Sequence, residues 1–572
     1  MGRAPGAYSP RPLIIGVRGF RAWDPGTPAV RLLGHARWYW ASAFQCSYAG
    51  RYVAGTQRSD GRWSATLFLT THVATNVPQS TPVRVVRRLT AAGLNAERDA
   101  VTLLAGAEDP DAAVERIIDE TASDSLTVTA ADVRAVLADP DVSGGTNPGP
   151  GGGSATAAPV ETKGSPSRGR SPQTPAVIGD ITGESTGTGT YEDFVSVFRD
   201  RYERLGGLLR GRVNHRPTDA LETMPGGTEA GLIGLVTDVR STRNGHTLVE
   251  LEDTNGTFPA LVMKDRDFSD AVDELLLDGD DFVQGTLSDD GGIIFADAVH
   301  FPDVPRTFEP STADRHVQAA LVSDIHVGSQ EFLPEAWSAF ADWLHTPEAD
   351  PVEYLLIAGD LVEGVGVYPG QDAELDIVDI YEQYEEFSEH LKAVPGDMEI
   401  VLIPGNHDAV RLAEPQPGFD EELRDIFSAH DARIYGNPVT VTIEGVSILL
   451  YHGVSIDEVV AELPDESVSY DNPDRAMAHL LRKRHLAPTF GGKMRIAPEE
   501  RDYLVIEEVP DVLHAGHVHK LGVGAYHNVR LVNSGCWQAQ TEFQRSVNIQ
   551  PDAGTAPILD LDTLEVTVRT FA

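Results

Sequence analysis

The stretch "VLIPGNHDAVR", residues 401–411, begins with three apolar residues and turns polar after a Pro-Gly pair. A short apolar run that stops at Pro-Gly predicts a buried strand followed by a turn. Asn406, His407 and Asp408 then stand side by side at the predicted carboxyl end of that strand. Because an ordinary turn can use the same residue types, this stretch decides the fold only together with others like it.

Four further polar blocks follow apolar runs in the same way. They are Asp324-x-His326, Gly359-Asp360, His452-Gly453 and Gly516-His517-x-His519. Predicted helices alternate with these strands, one near 334–345 and a long amphipathic one over 372–394, so residues 316–572 are expected to form an α/β sandwich. Such sheets place their sites just past the strand ends, where all five blocks lie.

The residue types in these blocks indicate metal chemistry. Imidazole and carboxylate groups are common ligands of Mn, Fe, Zn and Ni ions, and two ions about 3.5–4 Å apart can clamp the oxygens of a phosphoryl group. Ions held that close need a carboxylate between them, and Asp360, alone at its strand end, is the expected bridge. Each block is weak evidence by itself, but five in order predict a dinuclear site.

The chain is strongly acidic: 87 acidic against 45 basic residues give 572 residues a formal net charge of −42, and only six of the basic residues are Lys. This composition looks like that of a cytosolic protein from a salt-accumulating halophile. Molar salt shortens the Debye length to about 3 Å. The negative charge therefore does not exclude a nucleic-acid ligand.

Two further features of composition suggest a cytoplasmic protein. Cys46 and Cys536 are far apart, so no disulfide framework is expected, which suits a reducing compartment. No apolar run reaches the roughly 18 residues of a membrane span, so no membrane association is predicted.

Residues 1–82 differ in composition from the rest of the chain. They hold nine Arg, two acidic residues and four of the seven Trp. A basic, aromatic nucleic-acid arm and a targeting segment are two interpretations, although the pattern of a signal peptide is missing. We favour a third, a basic extension that is non-native or disordered because the reading frame was started too early.

The remaining chain divides by pattern into further segments. Apolar spacing of three and four predicts a helical module over 83–138, and a helical connector covers 190–229. Between them, residues 139–189 are rich in Gly, Pro, Ser and Thr, which predicts a disordered linker. Short strands separated by Asn-Gly, Asp-Gly and Gly-Gly turns predict an OB-type β-barrel over 230–305.

The five blocks resemble the motifs of the calcineurin-like metallophosphoesterases. Longer stretches, "GDLVEGVGVYPGQ", "RKRHLAPTFGG" and "VNSGCWQAQTEFQ", resemble the small subunits of archaeal family D DNA polymerases, as does the order of helical module, linker, barrel and phosphoesterase. The resemblance covers residues 83–572 and is most specific over 316–545. It implies a small subunit that acts in DNA replication with a large catalytic subunit, as a heterodimer or heterotetramer, and with a sliding clamp in the assembly.

The resemblance also implies a 3′→5′ exonuclease that hydrolyses the 3′-terminal phosphodiester of DNA with two divalent ions, Mn²⁺ before Mg²⁺. One ion is then bound by Asp324, His326, Asp360 and His519, and the other by Asp360, Asn406, His452 and His517. His407 is the implied acid for the leaving oxygen, and Asp408 the group that orients it.

Two residues near the site are candidates for substrate contact. Arg411, three residues past Asp408, could touch a phosphate, with a surface ion pair as the alternative. Tyr368, in the loop after Asp360, could stack on a base, or it could be a packing tyrosine.

Two other functions compete with the exonuclease. The first is a non-catalytic scaffold subunit, as in related small subunits whose metal ligands have been lost; here every ligand position keeps a competent residue type. The second is a free-standing phosphatase or cyclic-nucleotide phosphodiesterase, against which the attached barrel and helical module argue.

Overall fold

The computed structural model describes residues 81–121, 126–138, 172–185, 187–266, 268, 275–277, 279–427, 430–463, 468–489 and 494–572. All of these residues belong to one compact unit of the chain. The expectations for residues 1–82 therefore lie outside the described residues, except for Thr81 and Pro82, which begin the first helix.

A small helical module opens the described part of the chain. Its elements are α1 Thr81–Ala91, β1 Asn95–Ala96, α2 Arg98–Ala105, α3 Pro110–Glu120, β2 Thr127–Val128 and α4 Ala130–Ala138. Residues at helical spacing such as Leu89, Val101 and Ile117 are buried in its core. The Gly396 N–H donates to the carbonyl of Ala96 at 3.0 Å, which ties the module to the sandwich described below.

The prediction of a linker over 139–189 is wrong for its final part. Strand β3, Ala176–Ile178, pairs antiparallel with the strand Val439–Ile443 at the edge of a sheet. Ile181 is fully buried, and the backbone N–H of Gln173 donates to Tyr354 Oη at 2.8 Å. Pairing with a sheet edge supplies backbone hydrogen bonds that a Gly- and Thr-rich composition does not reveal. The segment 139–171 lies outside the described residues.

A helical connector leads into a closed five-stranded barrel. The connector contains α5 Tyr191–Arg210 and α6 Thr218–Leu221, and the strands are β4 Glu229–Ser241, β5 Thr247–Glu252, β6 Thr257–Val262, β7 Asp280–Leu287 and β8 Ile294–His300. Their order around the barrel is β4-β5-β6-β8-β7. Alternating residues such as Leu232, Val249 and Val283 fill its interior.

The largest part of the chain is a two-sheet sandwich. Its elements are β9 Gln318–Val322, α7 Pro334–Leu344, β10 Val352–Ala358, α8 Ile380–Leu391, β11 Glu399–Ile403, α9 Glu421–Ile426, β12 Arg433–Ile434, β13 Val439–Ile443, β14 Val446–Leu450, α10 Ile456–Glu462, α11 Pro473–Lys483, β15 Val512–Ala515, β16 Leu521–Tyr526, β17 Val529–Ser534, α12 Glu542–Ser546, β18 Thr555–Asp560 and β19 Val566–Thr570. The long helix expected over 372–394 is only the twelve residues of α8.

Each sheet of the sandwich has six strands, in the orders β12-β11-β10-β9-β18-β19 and β16-β17-β15-β14-β13-β3. Alternate residues such as Leu321 and Leu356 meet Ile448 of the second sheet between the two layers. Their neighbours Val322 and Ile357 face the opposite way, against α7 and α8. The multidomain α+β class predicted from the sequence is thereby confirmed. Among the described residues no helix is long and apolar enough to cross a membrane.

Candidate metal centre

All five polar blocks begin just after a strand of the sandwich, as the sequence predicts. The strands are β9, β10 and β11 of the first sheet and β14 and β15 of the second. β9, β10 and β11 are parallel neighbours, and β14 pairs parallel with β15. Their carboxyl ends therefore meet at one edge of the sandwich, which collects the five blocks in one place.

Five of the predicted ligands have a left-handed backbone. The φ angles are 53° at Asp324, 56° at His326, 50° at Asp360, 70° at His517 and 56° at His519. Non-glycine residues rarely adopt this region, and such strain concentrates at functional sites. These five residues lie in the turns that follow β9, β10 and β15.

Two glycines let the backbone pass close to the ligand carboxylates. A Cβ at Gly405 would lie 2.2 Å from Asp360 Oδ1, and a Cβ at Gly516 would lie 2.3 Å from Asp324 Oδ2. No side chain fits at either position while the carboxylates stay in place. Glycine is therefore required at both positions, because any larger residue would overlap the carboxylate of Asp360 or Asp324.

One cluster of donor atoms combines Asp324, His326 and His519. The Nε2 atoms of the two imidazoles are 3.0 Å apart, and Asp324 Oδ1 lies 3.5 Å from His519 Nε2 and 3.9 Å from His326 Nε2. All three side chains are buried. Ligand atoms about 2.1 Å from an ion and at right angles to each other stand roughly 3.0 Å apart, so this spacing fits a bound cation.

A second cluster combines Asp360, His452 and His517, with Asn406 beside them. The Nδ1 of His452 lies 2.9 Å from the carbonyl oxygen of Ala358, which fixes the proton on Nδ1. Its Nε2 lone pair therefore faces two acceptors, Asn406 Oδ1 at 3.0 Å and Asp360 Oδ2 at 3.2 Å. Three lone pairs aimed at one point need a proton or a cation between them, and the donor types suit Mn, Zn or Fe.

The electrostatics of the site agree with a place for positive charge. Burial disfavours the charged form of Asp360, but the surrounding imidazoles, first His452, outweigh burial and hold its pKa well below the usual range. Burial opposes protonation of His452, yet the charge of Asp360 raises the pKa of that imidazole to about 10. The centre thus keeps its carboxylates ionised and attracts cations.

The predicted role of Asp408 requires a correction. The Asp408 carboxylate accepts hydrogen bonds from the Gly405 N–H at 2.8 Å, the Leu361 N–H at 3.2 Å and the Tyr384 hydroxyl at 2.9 Å. It therefore fastens the loop to β10 and α8 instead of orienting the imidazole of His407. Burial, followed by the nearby charge of Asp360, raises the pKa of Asp408 to about 7.

His407 has a different partner. Its Nδ1 lies 2.8 Å from the main-chain oxygen of Glu363, and its backbone N–H donates to Asp360 Oδ1 at 2.8 Å. The imidazole is partly exposed, and its ring centroid is 4.8 Å from that of His326. His407 thus stands at the open side of the first cluster.

The two predicted substrate contacts have other partners in the structure. The guanidinium of Arg411 pairs with the buried Glu499 at 2.6 Å and donates to Ser185 Oγ at 2.6 Å, which is the ion-pair alternative. Tyr368 donates to Glu374 at 3.0 Å, and its ring centroid is 6.5 Å from that of His407. Tyr368 lies beside His407, whereas the guanidinium of Arg411 is engaged by Glu499 and Ser185.

Three supporting residues were missed from the sequence. Glu363, buried, lies 2.9 Å from His326 Nδ1; Gln538 donates to Glu363 Oε2 at 2.8 Å; and Gln544 contacts His519 Nδ1 at 2.8 Å. Glu363 follows Asp360 by three residues, so its position gave a signal. Gln538 and Gln544 lie in the stretch "VNSGCWQAQTEFQ" that carries the family resemblance, but only the folded sandwich shows that they contact Glu363 and His519.

The chain is similar in sequence to the small subunits of DNA polymerases. The family model for the B subunits of DNA polymerases alpha and epsilon matches residues 319–521. A DNA polymerase II small subunit from Halobacterium salinarum is 65% identical over 511 residues, which cover 87% of this chain and 100% of the relative. Small subunits from Archaeoglobus fulgidus and Pyrococcus furiosus are 43% and 41% identical, covering 67% and 66% of this chain and 78% and 63% of theirs.

The chain belongs to the family of archaeal DNA polymerase II small subunits, the small subunits of the family D polymerases. A small subunit implies a larger catalytic partner. A solved archaeal phosphodiesterase aligns with 44% of this chain and 99% of its own at 14% identity, but its TM-score of 0.23 is too low to carry an argument.

Proposed function

We propose that this subunit is the 3′→5′ exonuclease of its polymerase and removes mispaired nucleotides by hydrolysing the 3′-terminal phosphodiester of DNA. One observation carries the proposal. Asp360 Oδ2 lies 3.2 Å from His452 Nε2 and 3.7 Å from His326 Nε2. A single carboxylate thus touches both donor clusters, as a bridge between two ions requires.

The proposed ligand sets are those that the family resemblance implies. Asp324, His326, Asp360 and His519 would hold one divalent ion, and Asp360, Asn406, His452 and His517 the other, with Mn²⁺ as the first candidate and Mg²⁺ as the second. Two bound ions supply Lewis-acid stabilisation of the charge that develops on the phosphoryl oxygens. The chain's own contribution is the fixed, buried arrangement of the donors.

His407 is the group best placed to handle a proton. Because its Nδ1 proton is directed at the Glu363 carbonyl, its Nε2 remains to carry a second proton. The proposed step is attack of a hydroxide on the phosphorus of the 3′-terminal phosphodiester, with donation of that Nε2 proton to the 3′-oxygen as its bond to phosphorus breaks. The hydroxide oxygen stays on the released nucleoside monophosphate, and the shortened strand ends in a free 3′-hydroxyl. Partial exposure of the ring leaves room for substrate beside it.

The architecture supports the same proposal. We assign the sandwich of residues 316–572 to the calcineurin-like phosphoesterase fold and the barrel of residues 230–305 to the OB type. The barrel is acidic and its aromatic residues are all Phe, which favours docking of the large subunit over direct contact with DNA. DNA and a sliding clamp are the other proposed partners of the assembly.

The test is digestion of a primer with a mismatched 3′ end in molar KCl with Mn²⁺. Wild type should release mononucleotides, and His407→Ala should lose nearly all activity, about 10²–10⁴-fold for a general acid. His390→Ala, at an imidazole that is 18% exposed against 19% for His407 and that belongs to none of the candidate metal groups among the described residues, is the matched control and should cut like wild type. If wild type does not cut even with the large subunit added, the scaffold function is correct.

A further inference from the structure

Glu363 is an acidic residue at a buried position, where loss of hydration disfavours its charged form. Its side chain is 5% exposed, and it follows β10 three residues after Asp360. A carboxylate is stable in such a place only if polar or charged groups surround it. The groups that do so here belong to the metal centre and its loop.

The carboxylate of Glu363 touches several side chains. Its Oε2 lies 2.9 Å from His326 Nδ1 and 2.8 Å from Gln538 Nε2. Its Oε1 lies 3.3 Å from Gln371 Nε2 and 3.7 Å from His407 Nδ1. The main-chain oxygen of the same residue lies 2.8 Å from His407 Nδ1. One residue thus faces the Nδ1 atoms of both histidines.

An oxygen beside Nδ1 keeps the proton on that nitrogen and leaves the lone pair on Nε2. The Nε2 of His326 faces His519 Nε2 at 3.0 Å and Asp360 Oδ2 at 3.7 Å. The carboxylate stands off the line of the Nδ1–H bond, so the contact is the attraction of a charge for a neutral N–H dipole rather than an aligned hydrogen bond. Its charge still favours this tautomer.

We infer that Glu363 is a positioning residue of the metal centre: its carboxylate sets the tautomer and orientation of His326, and its main-chain carbonyl sets those of His407. The part that concerns His407 rests on the proposed exonuclease function. The part that concerns His326 requires only that the centre binds divalent ions. Partners of this kind typically change metal affinity by 10–100-fold.

The chain contains a matched control at Glu353. Its side chain is 6% exposed, on β10, ten residues before Glu363. Its two oxygens pair with Arg315, each at 2.7 Å, and it belongs to neither donor cluster. Loss of the Glu353 charge should lower stability without changing the metal centre.

The experiment measures Mn²⁺ binding to the full chain in molar KCl without DNA, by calorimetry or by the electron paramagnetic resonance signal of free Mn²⁺. Glu363→Gln, nearly the same shape without the charge, should bind Mn²⁺ about 10–100-fold more weakly than wild type. Glu353→Gln should bind like wild type even if it melts at a lower temperature. Equal affinities for wild type and Glu363→Gln, or equal losses in both variants, would overturn the inference.

Glu363→Asp keeps the charge but shortens the side chain, so its affinity should fall between wild type and Glu363→Gln. If Glu363→Gln does not fold, this variant decides: wild-type affinity in a folded Glu363→Asp overturns the inference. The primer assay separates the two proposals, because a wild type that binds Mn²⁺ yet never cuts DNA rejects the exonuclease and leaves the binding comparison intact.

Discussion

Replacing Gly405 by alanine should disable the metal centre through steric displacement alone. The added Cβ would lie 2.2 Å from Asp360 Oδ1, 2.5 Å from Asp360 N and 2.8 Å from His452 Cε1. Ordinary carbon–oxygen contacts begin near 3.3 Å, so Asp360 or the loop must move by about 1 Å. Gly405 is not among the glycines with positive φ, and its backbone alone therefore does not exclude alanine.

The displacement affects both the proposed metal bridge, Asp360, and the proposed proton donor, His407. Asp360 Oδ1 also accepts the backbone N–H of His407 at 2.8 Å, so the bridge and the proposed acid shift together. A misplacement of about 1 Å can cost about 10²-fold in rate, and overpacking of this kind typically costs about 1–3 kcal/mol of stability. We expect Gly405→Ala to remain folded and to hydrolyse the primer with Mn²⁺ at least about 10²-fold more slowly than wild type.

Gly207→Ala is the matched control for this prediction. Gly207 lies on an exposed face of α5, and a Cβ there meets nothing within 4 Å. Alanine is favoured over glycine inside a helix by roughly 0.5–1 kcal/mol, so this variant should be slightly more stable and fully active. Wild-type hydrolysis and Mn²⁺ affinity in Gly405→Ala would refute the argument from close approach.

Three other perturbations test the electrostatics of the chain. Lys483→Met leaves the buried Asp281, now 3.1 Å from the Lys483 ammonium, without a counter-charge. It should lower the free energy of unfolding by about 3–5 kcal/mol in urea titrations, and adding Asp281→Leu should recover most of that; an equal loss in the double variant would contradict this. Burial lowers the pKa of His485 to about 4 from 6.5, so the unfolded chain binds that proton first as the pH falls. Stability should therefore drop by about 3 kcal/mol between pH 6.5 and 4, and unfolding curves of His485→Gln should lack this part of the drop. Arg411→Ala should lower the melting temperature and leave the KM for primer unchanged, because Arg411 pairs with Glu499. A raised KM with an unchanged melting temperature would show instead that Arg411 contacts the substrate.

The strand ends could be predicted because two signals coincide there. An alternating or continuous apolar run marks the strand, and the Asp, Asn or His that follows it marks the strand's end, beside a Gly in four of the five blocks. β10, Val352–Ala358, is buried at every residue and stops one residue before Gly359-Asp360. The same local agreement located β9, β11, β14 and β15.

The role of Asp408 could not be predicted, because it depends on which side of the loop the carboxylate faces. Two groups were available to orient His407: the next residue in sequence, and Glu363 on a separate strand end. The backbone N–H groups of Gly405 and Leu361 and the hydroxyl of Tyr384 take up the carboxylate of Asp408. Tyr384 comes from α8, and no local pattern places it under this loop.

Strand β3 escaped prediction for a related reason. Its three residues, Ala176–Ile178, follow a long Gly-, Pro- and Ser-rich segment, and two of the three are exposed. A strand that short is stabilised by the edge it pairs with, which here is β13, more than 260 residues later in the chain. The β-strand propensity of these three residues therefore did not predict the strand, because pairing with β13 decides their conformation.

The conformational cost of the centre bears on whether the subunit is a nuclease or a scaffold. Five of the proposed ligand residues adopt positive φ, at about 1 kcal/mol or more each. Asp324 and Asp360 are also buried, and their carboxylates face the imidazole nitrogens of His519 and His452. A scaffold that bound no ion would be more stable with glycine at these turns and apolar residues in place of the carboxylates. This chain keeps the strain, the buried charge and every donor, and binding of the proposed divalent ions would compensate for all three.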